Sequence, residues 1–508
     1  MVAGDTTEAM LRAYRDADPR ADLVELRLDL VKDLAPDRVL GAQGKPKLIT
    51  VRSHQQGGGA RPADREPLLR RALAAGAEYL DLEFGDQDAS LLEGQRRTRR
   101  ILSYHDLSGT PADLPAIHAR MRALAPSAWL KIVTFADAAT DNLRIRDLLR
   151  MRGSGSLIAF CMGPKGIPSR ILSPLWGSAA LYAPLRGAAP SAPGQVPLEE
   201  LLDLYRCDRL RPETRLLGVV GSPIGHSLSP MMHNAALTAL DLDYRYLPFE
   251  ATTLAEFLPL MSELRVSGLS VTLPHKERIL AYLDGLDDTA RRVGAVNTVV
   301  KHWNRLEGHN TDVEAALAPL RRRMALKGAH VAVMGAGGVA RALCYGLVEA
   351  GARVTLFNRT ASRARDLARR FGARHLPWAR LRSFRCDLLV NATSVGLAPA
   401  SDRAPLPPSW VAAPRVYDLI YNPPETLFLG EARRRGAEVI GGVEMFVAQG
   451  AAQFRMFTGR DAPLAIMEQV VLHALGADGG RSTSSPPSPG KGRRRGRQPR
   501  NRARRRRD

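Results

Sequence analysis

The chain has 508 residues, of which 45% are apolar, so it is too long for one ordinary domain and has ample material for packed cores. Its net charge is +21, but the segment 479–508 alone carries +11, so the excess by itself is weak support for a nucleic-acid partner. The four cysteines are widely spaced, the start has no secretory signal and no apolar run could span a membrane, so we expect a reduced, cytoplasmic protein.

Residues 20–190 alternate apolar, β-rich runs with amphipathic stretches. Seven runs are predicted strands, at 23–30, 47–52, 79–84, 100–107, 129–135, 156–163 and 178–185. Spacings of roughly 20–30 residues leave room for a helix between each pair, which is typical of parallel βα units. Because the chain opens directly into a predicted helix, Thr6 to Ala17, we expect a (β/α)8-type barrel over residues 1–208 that lacks its first strand. Either the true start codon lies upstream, which we favour, or another segment fills the gap.

A polar, proline-containing link at 189–214 ends this region, and the strand at 215–221 begins a second α/β region. We expect a substrate-binding domain over 215–320 and a Rossmann-like nucleotide-binding domain over 321–445. Helices at 446–475 are predicted to return to the substrate-binding domain. The segment 479–508 has no apolar run to bury and its charges repel each other, so it is predicted to be disordered.

Lysine is rare in this chain, with nine lysines among 73 basic residues, so a lysine within a predicted strand is informative. Lys131 lies within W-L-K-I-V-T-F, and His105 ends the strand one βα unit earlier. A desolvated lysine near other cations can keep a neutral amine and attack a ketone, while a histidine moves protons and strand-end arginines hold a carboxylate. The simpler alternatives are a lysine at a barrel rim and a buried ion-pair network on the strand that carries Glu25, Arg27 and Asp29.

These features, in this order, resemble type I 3-dehydroquinate dehydratase. The matching motifs are E-L-R-L-D (25–29), Arg52, S-Y-H-D-L-S-G-T-P (103–111), Lys131, M-G-P-K-G-I-P-S-R (162–170) and S-A-P-G-Q (191–195). The resemblance implies that Lys131 forms a Schiff base and that His105 shuttles protons. It further implies that the carboxylate side of the substrate is held by Arg170, Ser191 and Gln195, and the ring hydroxyls by Glu25, Arg27 and Arg52.

One position departs from that family. Its members usually carry a glutamate that orients the histidine, four residues after the strand-end arginine, where this chain has Gln56. An amide can still hydrogen-bond an imidazole, but it cannot stabilise an imidazolium by charge. We therefore expect a shifted pH profile or a slower dehydratase, and an impaired or inactive dehydratase half is left open as an alternative.

In the second half, V-A-V-M-G-A-G-G-V-A (331–340) predicts a strand, a glycine turn and a helix whose N-terminus can face a pyrophosphate. The following strand ends at Asn358, Arg359 and Thr360. An NAD site would place a carboxylate near this point, whereas an arginine favours the 2′-phosphate of NADP. Lys276 and Asp312 lie on separate predicted loops, where a lysine could donate a proton to a carbonyl oxygen while the aspartate pairs with it.

Residues 215–475 resemble shikimate dehydrogenase through S-P-I-G-H-S-L-S-P, S-V-T-L-P-H-K, G-A-V-N-T, H-N-T-D, N-A-T-S-V-G, Y-D-L-I-Y-N-P and G-G-V-E-M-F-V-A-Q-G-A-A-Q-F. The resemblance implies that Lys276 and Asp312 form the catalytic pair. It implies shikimate contacts at Ser227, Ser229, Thr272, Asn297, Asp312, Tyr421 and Gln449. It places the cofactor on Gly335, Ala336, Gly337, Gly338, Asn358, Arg359, Thr360, Leu419 and Gly442. A preference for quinate or for NAD stays open, since related dehydrogenases differ at few positions.

The two resemblances imply consecutive reactions, because the 3-dehydroshikimate formed by the first half is the ketone that the second half reduces to shikimate with NADPH. The same fused order is familiar from plant enzymes of this pathway. We expect small-molecule substrates, NADP(H) as the cofactor and no metal. A nucleic-acid-binding protein is the alternative from another class, but the basic tail has no aromatic residue for base stacking, which leaves weak, salt-sensitive polyanion contact.

Overall fold

The computed structural model describes residues 4–92, 97–151, 156–184 and 192–476. The predicted disordered tail at 479–508 lies outside the described residues. Within the described ranges, no helix combines the length and the apolar character that crossing a membrane would require.

The first half is built on one parallel sheet of six strands in sequential order. They are β1 (Val24–Arg27), β2 (Lys47–Thr50), β3 (Tyr79–Glu83), β4 (Arg99–His105), β5 (Trp129–Phe135) and β6 (Leu157–Met162). Six helices accompany them: α1 (Thr7–Arg15), α2 (Pro36–Leu40), α3 (Pro62–Ala74), α4 (Leu114–Leu124), α5 (Asp141–Leu149) and α6 (Ile167–Trp176). The sequential parallel order confirms the α/β barrel-type fold, and among the described residues the first element is α1, as predicted.

Two details of the predicted strands are wrong. Residues 178–184 are not a strand of the sheet; they run beside β6, and the Ala179 amide donates to the Leu157 carbonyl oxygen at 2.8 Å. Pro184 has no amide hydrogen to contribute to a ladder. The first strand ends at Arg27, so Asp29 lies in a short 3₁₀ turn rather than on the strand, where its carboxylate still accepts from the Arg27 guanidinium at 2.6 and 2.9 Å.

The second half contains two six-stranded sheets. The first has the order β10-β12-β11-β9-β7-β8, with parallel and antiparallel pairs. Its elements are β7 (Arg215–Gly221), α7 (Ser229–Ala239), β8 (Tyr244–Glu250), α8 (Leu254–Glu263), β9 (Gly268–Val271), β10 (Gly285–Leu286), α9 (Asp288–Val293), β11 (Thr298–His302), β12 (Arg305–His309) and α10 (Asp312–Arg321). The first turn of α8 is fixed by a reciprocal cap, in which Thr253 and Glu256 each accept the other's backbone N–H.

The second sheet is entirely parallel, in the order β15-β14-β13-β16-β17-β18. Its elements are β13 (His330–Met334), α11 (Gly338–Glu349), β14 (Arg353–Phe357), α12 (Ala361–Phe371), β15 (Arg374–His375), β16 (Leu388–Asn391), β17 (Arg415–Asp418), α13 (Leu427–Arg434) and β18 (Glu438–Ile440). This reversal of strand order beside β13 is the doubly wound arrangement that binds nucleotides at the carboxyl ends of the strands.

Two C-terminal helices, α14 (Gly442–Thr458) and α15 (Leu464–Ala474), lead away from the nucleotide-binding sheet. Their apolar residues Phe454, Phe457, Met467 and Val471 share a buried cluster with Leu217 of β7. The helices therefore cover the substrate-binding domain, and α14 begins four residues before the boundary predicted at 446.

The two halves contact each other through α6 and β8. One apolar cluster continues from Ile171 of α6 to Phe249 of β8. Beside it, the Lys165 ammonium lies 2.8 Å from the Glu256 carboxylate and donates to the Thr252 hydroxyl at 3.2 Å. Burial alone would raise the pKa of Glu256, but the hydrogen bonds from Lys165 and Thr252 outweigh it and lower that pKa to about 2. The contact is therefore an ion pair at neutral pH.

Candidate active sites

The first site is a cavity of about 330 Å³ at the carboxyl ends of the barrel strands. Most of the residues predicted for the dehydratase line it: Glu25, Arg27, Arg52, His105, Lys131, Arg170 and Gln195, together with Gln56. Ser191, the remaining member of the predicted set, lies outside the described residues. The six strands thus bring together side chains that are up to 170 positions apart in the sequence.

Lys131 is 4% exposed and lies among carboxylates. Its Nζ is 3.2 Å from Asp81 Oδ2 and 3.9 Å from Glu25 Oε1. Asp81 is shared, since the Arg52 guanidinium donates to its other oxygen at 2.6 Å. Burial would raise the pKa of Asp81, but the charges of Arg52 and Lys131 overcome that effect and lower it. The carboxylate therefore stays ionised and holds both cations in place.

His105 is held by the residue at which this chain departs from the dehydratase family. Its Nδ1 lies 3.0 Å from Gln56 Oε1, which also accepts from Arg52 at 3.4 Å. With that oxygen as acceptor, Nδ1 carries the hydrogen and Nε2 keeps a lone pair. Burial, together with the charges of Arg52, Lys131 and Arg27, lowers the pKa of His105 well below its usual value. The imidazole is therefore neutral at physiological pH and can accept a proton.

Arg170 has the properties of an anion-binding group. Its guanidinium is 4% exposed and lies over the Phe160 ring, 4.5 Å from the centroid. Burial lowers the pKa of Arg170 to about 10, and its Nε has no hydrogen-bond partner within the described part of the chain. A buried, cationic donor of this kind is costly unless an anion pairs with it. A substrate carboxylate would fill that role.

The second site contains the predicted lysine–aspartate pair. Lys276 Nζ lies 2.6 Å from Asp312 Oδ2, at the start of α10. The other carboxylate oxygen accepts from Asn297 Nδ2 at 2.9 Å. Asn297 is in turn fixed by Thr311, whose N–H donates to Asn297 Oδ1 at 2.9 Å. The pair is therefore oriented from both sides, with the ammonium available to a substrate oxygen.

This pair faces a cavity of about 170 Å³. All residues predicted to contact shikimate line it: Ser227, Ser229, Thr272, Asn297, Asp312, Tyr421 and Gln449, and so do Lys276, Leu419 and Gly442. The Tyr421 ring stacks on Phe446 with centroids 4.2 Å apart, and burial raises the pKa of its hydroxyl, which keeps it protonated. The lining thus offers hydroxyl and amide groups suited to a polyol.

A larger cleft of about 760 Å³ adjoins the second site, and Lys276 lines both. The predicted turn residues Ala336, Gly337 and Gly338 form one wall at the N-terminus of α11. Gly335 has φ of +117°, and a Cβ there would lie 2.6 Å from the Ala392 carbonyl oxygen, so a side chain is excluded. No atom lies within 4 Å of a Cβ built on Gly337, which leaves open space for a ligand over the turn.

The charge of this cleft fits a phosphorylated dinucleotide. Arg341, Arg363 and Arg370 line it together with the turn. Arg359 is exposed at the end of β14, and Asn358 donates to the Thr360 carbonyl oxygen at 2.9 Å, but these three predicted residues are outside the cleft's immediate lining. The glycine turn, the helix N-terminus and the arginines together make a suitable anion site.

Sequence reasoning missed several residues of these sites. Asp81 alternates with apolar residues inside β3, and a carboxylate in a buried strand was the available signal. Ser270 and Gln453 were also missed, although both stand within motifs on which the shikimate dehydrogenase resemblance rests. Ser270 donates to Gln453 Oε1 at 2.7 Å, and Gln453 donates to the Asn297 carbonyl oxygen at 3.0 Å. Tyr182, whose ring faces Lys131, gave no signal, because it lies on the segment wrongly predicted as a strand.

The chain thus contains two candidate sites. One has a lysine and a neutral histidine, and the other has a lysine–aspartate pair beside a nucleotide turn. Together they define a bifunctional α/β enzyme. Family models agree with this division. Residues 1–212 match type I 3-dehydroquinase, and 219–299 match the shikimate dehydrogenase substrate binding domain. Residues 318–397 match shikimate / quinate 5-dehydrogenase, and 442–472 match the shikimate 5'-dehydrogenase C-terminal domain.

Two relatives match most of the chain, and a third matches its second half. The bifunctional 3-dehydroquinate dehydratase/shikimate dehydrogenase, chloroplastic, of Arabidopsis thaliana is 33% identical over 89% of this chain and 80% of its own length. The shikimate biosynthesis protein AroDE of Chlamydia pneumoniae is 32% identical over 86% and 90%, respectively. Shikimate dehydrogenase (NADP(+)) of Moorella thermoacetica is 42% identical over 54% of this chain and 97% of its own length.

The chain belongs to the family of bifunctional 3-dehydroquinate dehydratase/shikimate dehydrogenases. Its first half is a lyase and its second half an oxidoreductase of the shikimate pathway. The predictions of family, fold class and consecutive activities are thereby confirmed.

Proposed function

We propose that Lys131 forms the Schiff base of the dehydratase reaction and that His105 moves the protons. The neutral amine attacks the ketone of 3-dehydroquinate, and water leaves as the protonated Schiff base forms, which makes the neighbouring C–H bond acidic. His105 removes that proton through Nε2 and returns a proton to the hydroxyl group, which leaves as water. Hydrolysis then releases 3-dehydroshikimate and the free lysine.

The observation that carries this proposal is the presence of one buried lysine and one neutral, oriented histidine in the same cavity. Substrate binding is assigned to the other lining residues. Arg170, Gln195 and Ser191 would hold the carboxylate, and Arg170 brings an unpartnered buried N–H to that role. The ring hydroxyls would contact Glu25, Arg27 and Arg52.

Borohydride reduction in the presence of 3-dehydroquinate tests the role of Lys131. The wild-type chain should gain the mass of the reduced adduct, located on the peptide that contains Lys131. Lys131→Arg keeps the charge but cannot form a Schiff base, so its adduct should disappear. Lys47→Arg is the matched control, since Lys47 is a second buried strand lysine of the same sheet but does not line the cavity. An adduct that persists in Lys131→Arg would contradict the proposal.

We propose that Lys276 and Asp312 carry the proton transfer of the dehydrogenase reaction. The cleft lined by Ala336, Gly337 and Gly338 would hold NADPH, which would supply the hydride for the carbonyl carbon of 3-dehydroshikimate. Lys276 donates a proton to the carbonyl oxygen, and Asp312, 2.6 Å away, stabilises the ammonium before that step and orients it. The position of Lys276 between the substrate cavity and the nucleotide cleft supports this role.

We propose NADP(H) rather than NAD(H) as the cofactor. The arginines of the cleft and Arg359 at the end of β14 support this choice, because a 2′-phosphate needs cationic partners where NAD sites carry a carboxylate. Arg359→Ala should raise the KM for NADPH by about tenfold and leave the KM for NADH nearly unchanged. Rates with both cofactors on shikimate and on quinate test the alternatives. A preference for NADH would overturn the cofactor assignment, and a preference for quinate would overturn shikimate as the substrate.

A further inference from the structure

Lys131 has a neighbour that neither the motifs nor the mechanism above uses. Its Nζ lies over the ring of Tyr182, 4.1 Å from the centroid. Tyr182 lines the same cavity, and its hydroxyl is buried with no hydrogen-bond partner among the described residues. The face of the ring is thus its functional contact with the site.

We propose that the Tyr182 ring is a positioning residue for the dehydratase, which stabilises the positive charge on the Lys131 nitrogen by a cation–π interaction. This inference rests on the proposed Schiff-base role of Lys131. That nitrogen is cationic in the protonated Schiff base, in which it keeps one proton after water has left. The ring contact at 4.1 Å favours this cation, which is the state from which the C–H proton is removed.

A ring acts differently from a second carboxylate at this position. A carboxylate would accept a hydrogen bond from the amine and hold the proton that must leave before the nitrogen can attack. An aromatic face attracts the cation through its quadrupole but has no lone pair directed at the proton. Burial, with the nearby charges of Glu25 and Asp81, raises the pKa of the Tyr182 hydroxyl well above its usual value, so the ring adds no negative charge of its own.

Phe160 is a second aromatic residue of the same cavity that contacts a cation. Its ring lies 6.1 Å from that of Tyr182, at an angle of 43°. Phe160 lies under Arg170 just as Tyr182 lies under Lys131. Each ring contacts a different cation, one proposed for chemistry and one proposed for carboxylate binding, so substitution of each ring should affect a different kinetic constant.

The test compares Tyr182→Leu, Tyr182→Phe and Phe160→Leu in the full chain. Tyr182→Leu should lower the dehydratase kcat by about tenfold, which is the scale of a desolvated cation–π contact. It should also lower the fraction of the chain that borohydride traps at a fixed pH, because the protonated Schiff base loses a stabilising partner. Tyr182→Phe keeps the ring and should recover kcat to within about threefold. Phe160→Leu should mainly raise KM.

The dehydrogenase rate of the same chain is the internal control for folding. If Tyr182→Leu lowers that rate, Tyr182→Met repeats the test with an unbranched side chain. Equal losses in Tyr182→Leu and Tyr182→Phe would assign the effect to the hydroxyl and overturn the inference. Normal trapping and kcat in Tyr182→Leu would overturn it as well, while the role of Lys131 would stand. A wild-type chain that borohydride does not trap would overturn both.

Discussion

Replacing Gln56 by glutamate tests how this dehydratase site sets the basicity of its histidine. Gln56 Oε1 lies 3.0 Å from His105 Nδ1, so a glutamate there would place a negative charge against the imidazole. At present burial and the charges of Arg52, Lys131 and Arg27 all lower the pKa of His105. A carboxylate opposes those charges, and the substitution should therefore raise that pKa.

The size of the effect follows from the partners of the same oxygen. An opposite charge within about 4–6 Å typically shifts a pKa by about 1–3 units, and each unit is about 1.4 kcal/mol. Arg52 Nη1 lies 3.4 Å from Gln56 Oε1 and would pair with the new carboxylate, so we expect the lower end, about one unit. Because His105 is proposed to act as a base in its neutral form, the acidic limb of the rate profile should move to higher pH by that amount.

The assay is the pH dependence of dehydratase kcat/KM, which reports the ionisation of the free enzyme. Gln56→Glu should shift the acidic limb by about one unit and raise the plateau, because the carboxylate stabilises the imidazolium formed during proton transfer. Gln56→Leu is the matched control, because it removes the hydrogen-bond acceptor without adding charge. The acidic limb of its pH profile should stay in place. Its plateau should fall by at least about tenfold, because the tautomer of His105 is no longer fixed. An unchanged limb and plateau in Gln56→Glu would refute this account of His105.

Three further predictions concern other parts of the chain. Asp312→Asn should lower the shikimate dehydrogenase kcat by about 10²–10⁴, with the dehydratase rate as control. Lys165→Met should destabilise the chain by about 1–2 kcal/mol in urea unfolding. The difference in unfolding free energy between wild type and Lys165→Met should have its whole value above the usual glutamate pKa. It should vanish as the pH falls through about 2, the lowered pKa of Glu256. Removal of residues 479–508 should leave both activities within about twofold of wild type, since no assigned contact uses them; a collapse of either rate would show that the tail contributes.

The sequence by itself determined the family and the order of the two enzymes, and it singled out the two lysines that we propose to react. Apolar runs at regular spacing predicted six barrel strands to within a few residues, because strand formation follows local composition and periodicity. Lys131 and Lys276 could be identified because each stands inside a motif, in a chain whose other basic residues are almost all arginine. The glycine turn at 335–338 was equally local, since a positive φ and an open backbone require glycine at fixed offsets.

Only the tertiary structure decided what surrounds those lysines. Asp81 and Tyr182 are each about 50 positions from Lys131, yet both contact its ammonium. The packing of separate sheets likewise decides two further features. It places Lys276 between two cavities, and it brings Lys165 into contact with Glu256 across the two halves. Side-chain pairs of this kind leave no periodic signal along the chain, because their distance is fixed by sheet closure and helix packing rather than by local backbone preference. The residues proposed to carry the chemistry could therefore be named from the sequence, whereas the charges and rings around them could not.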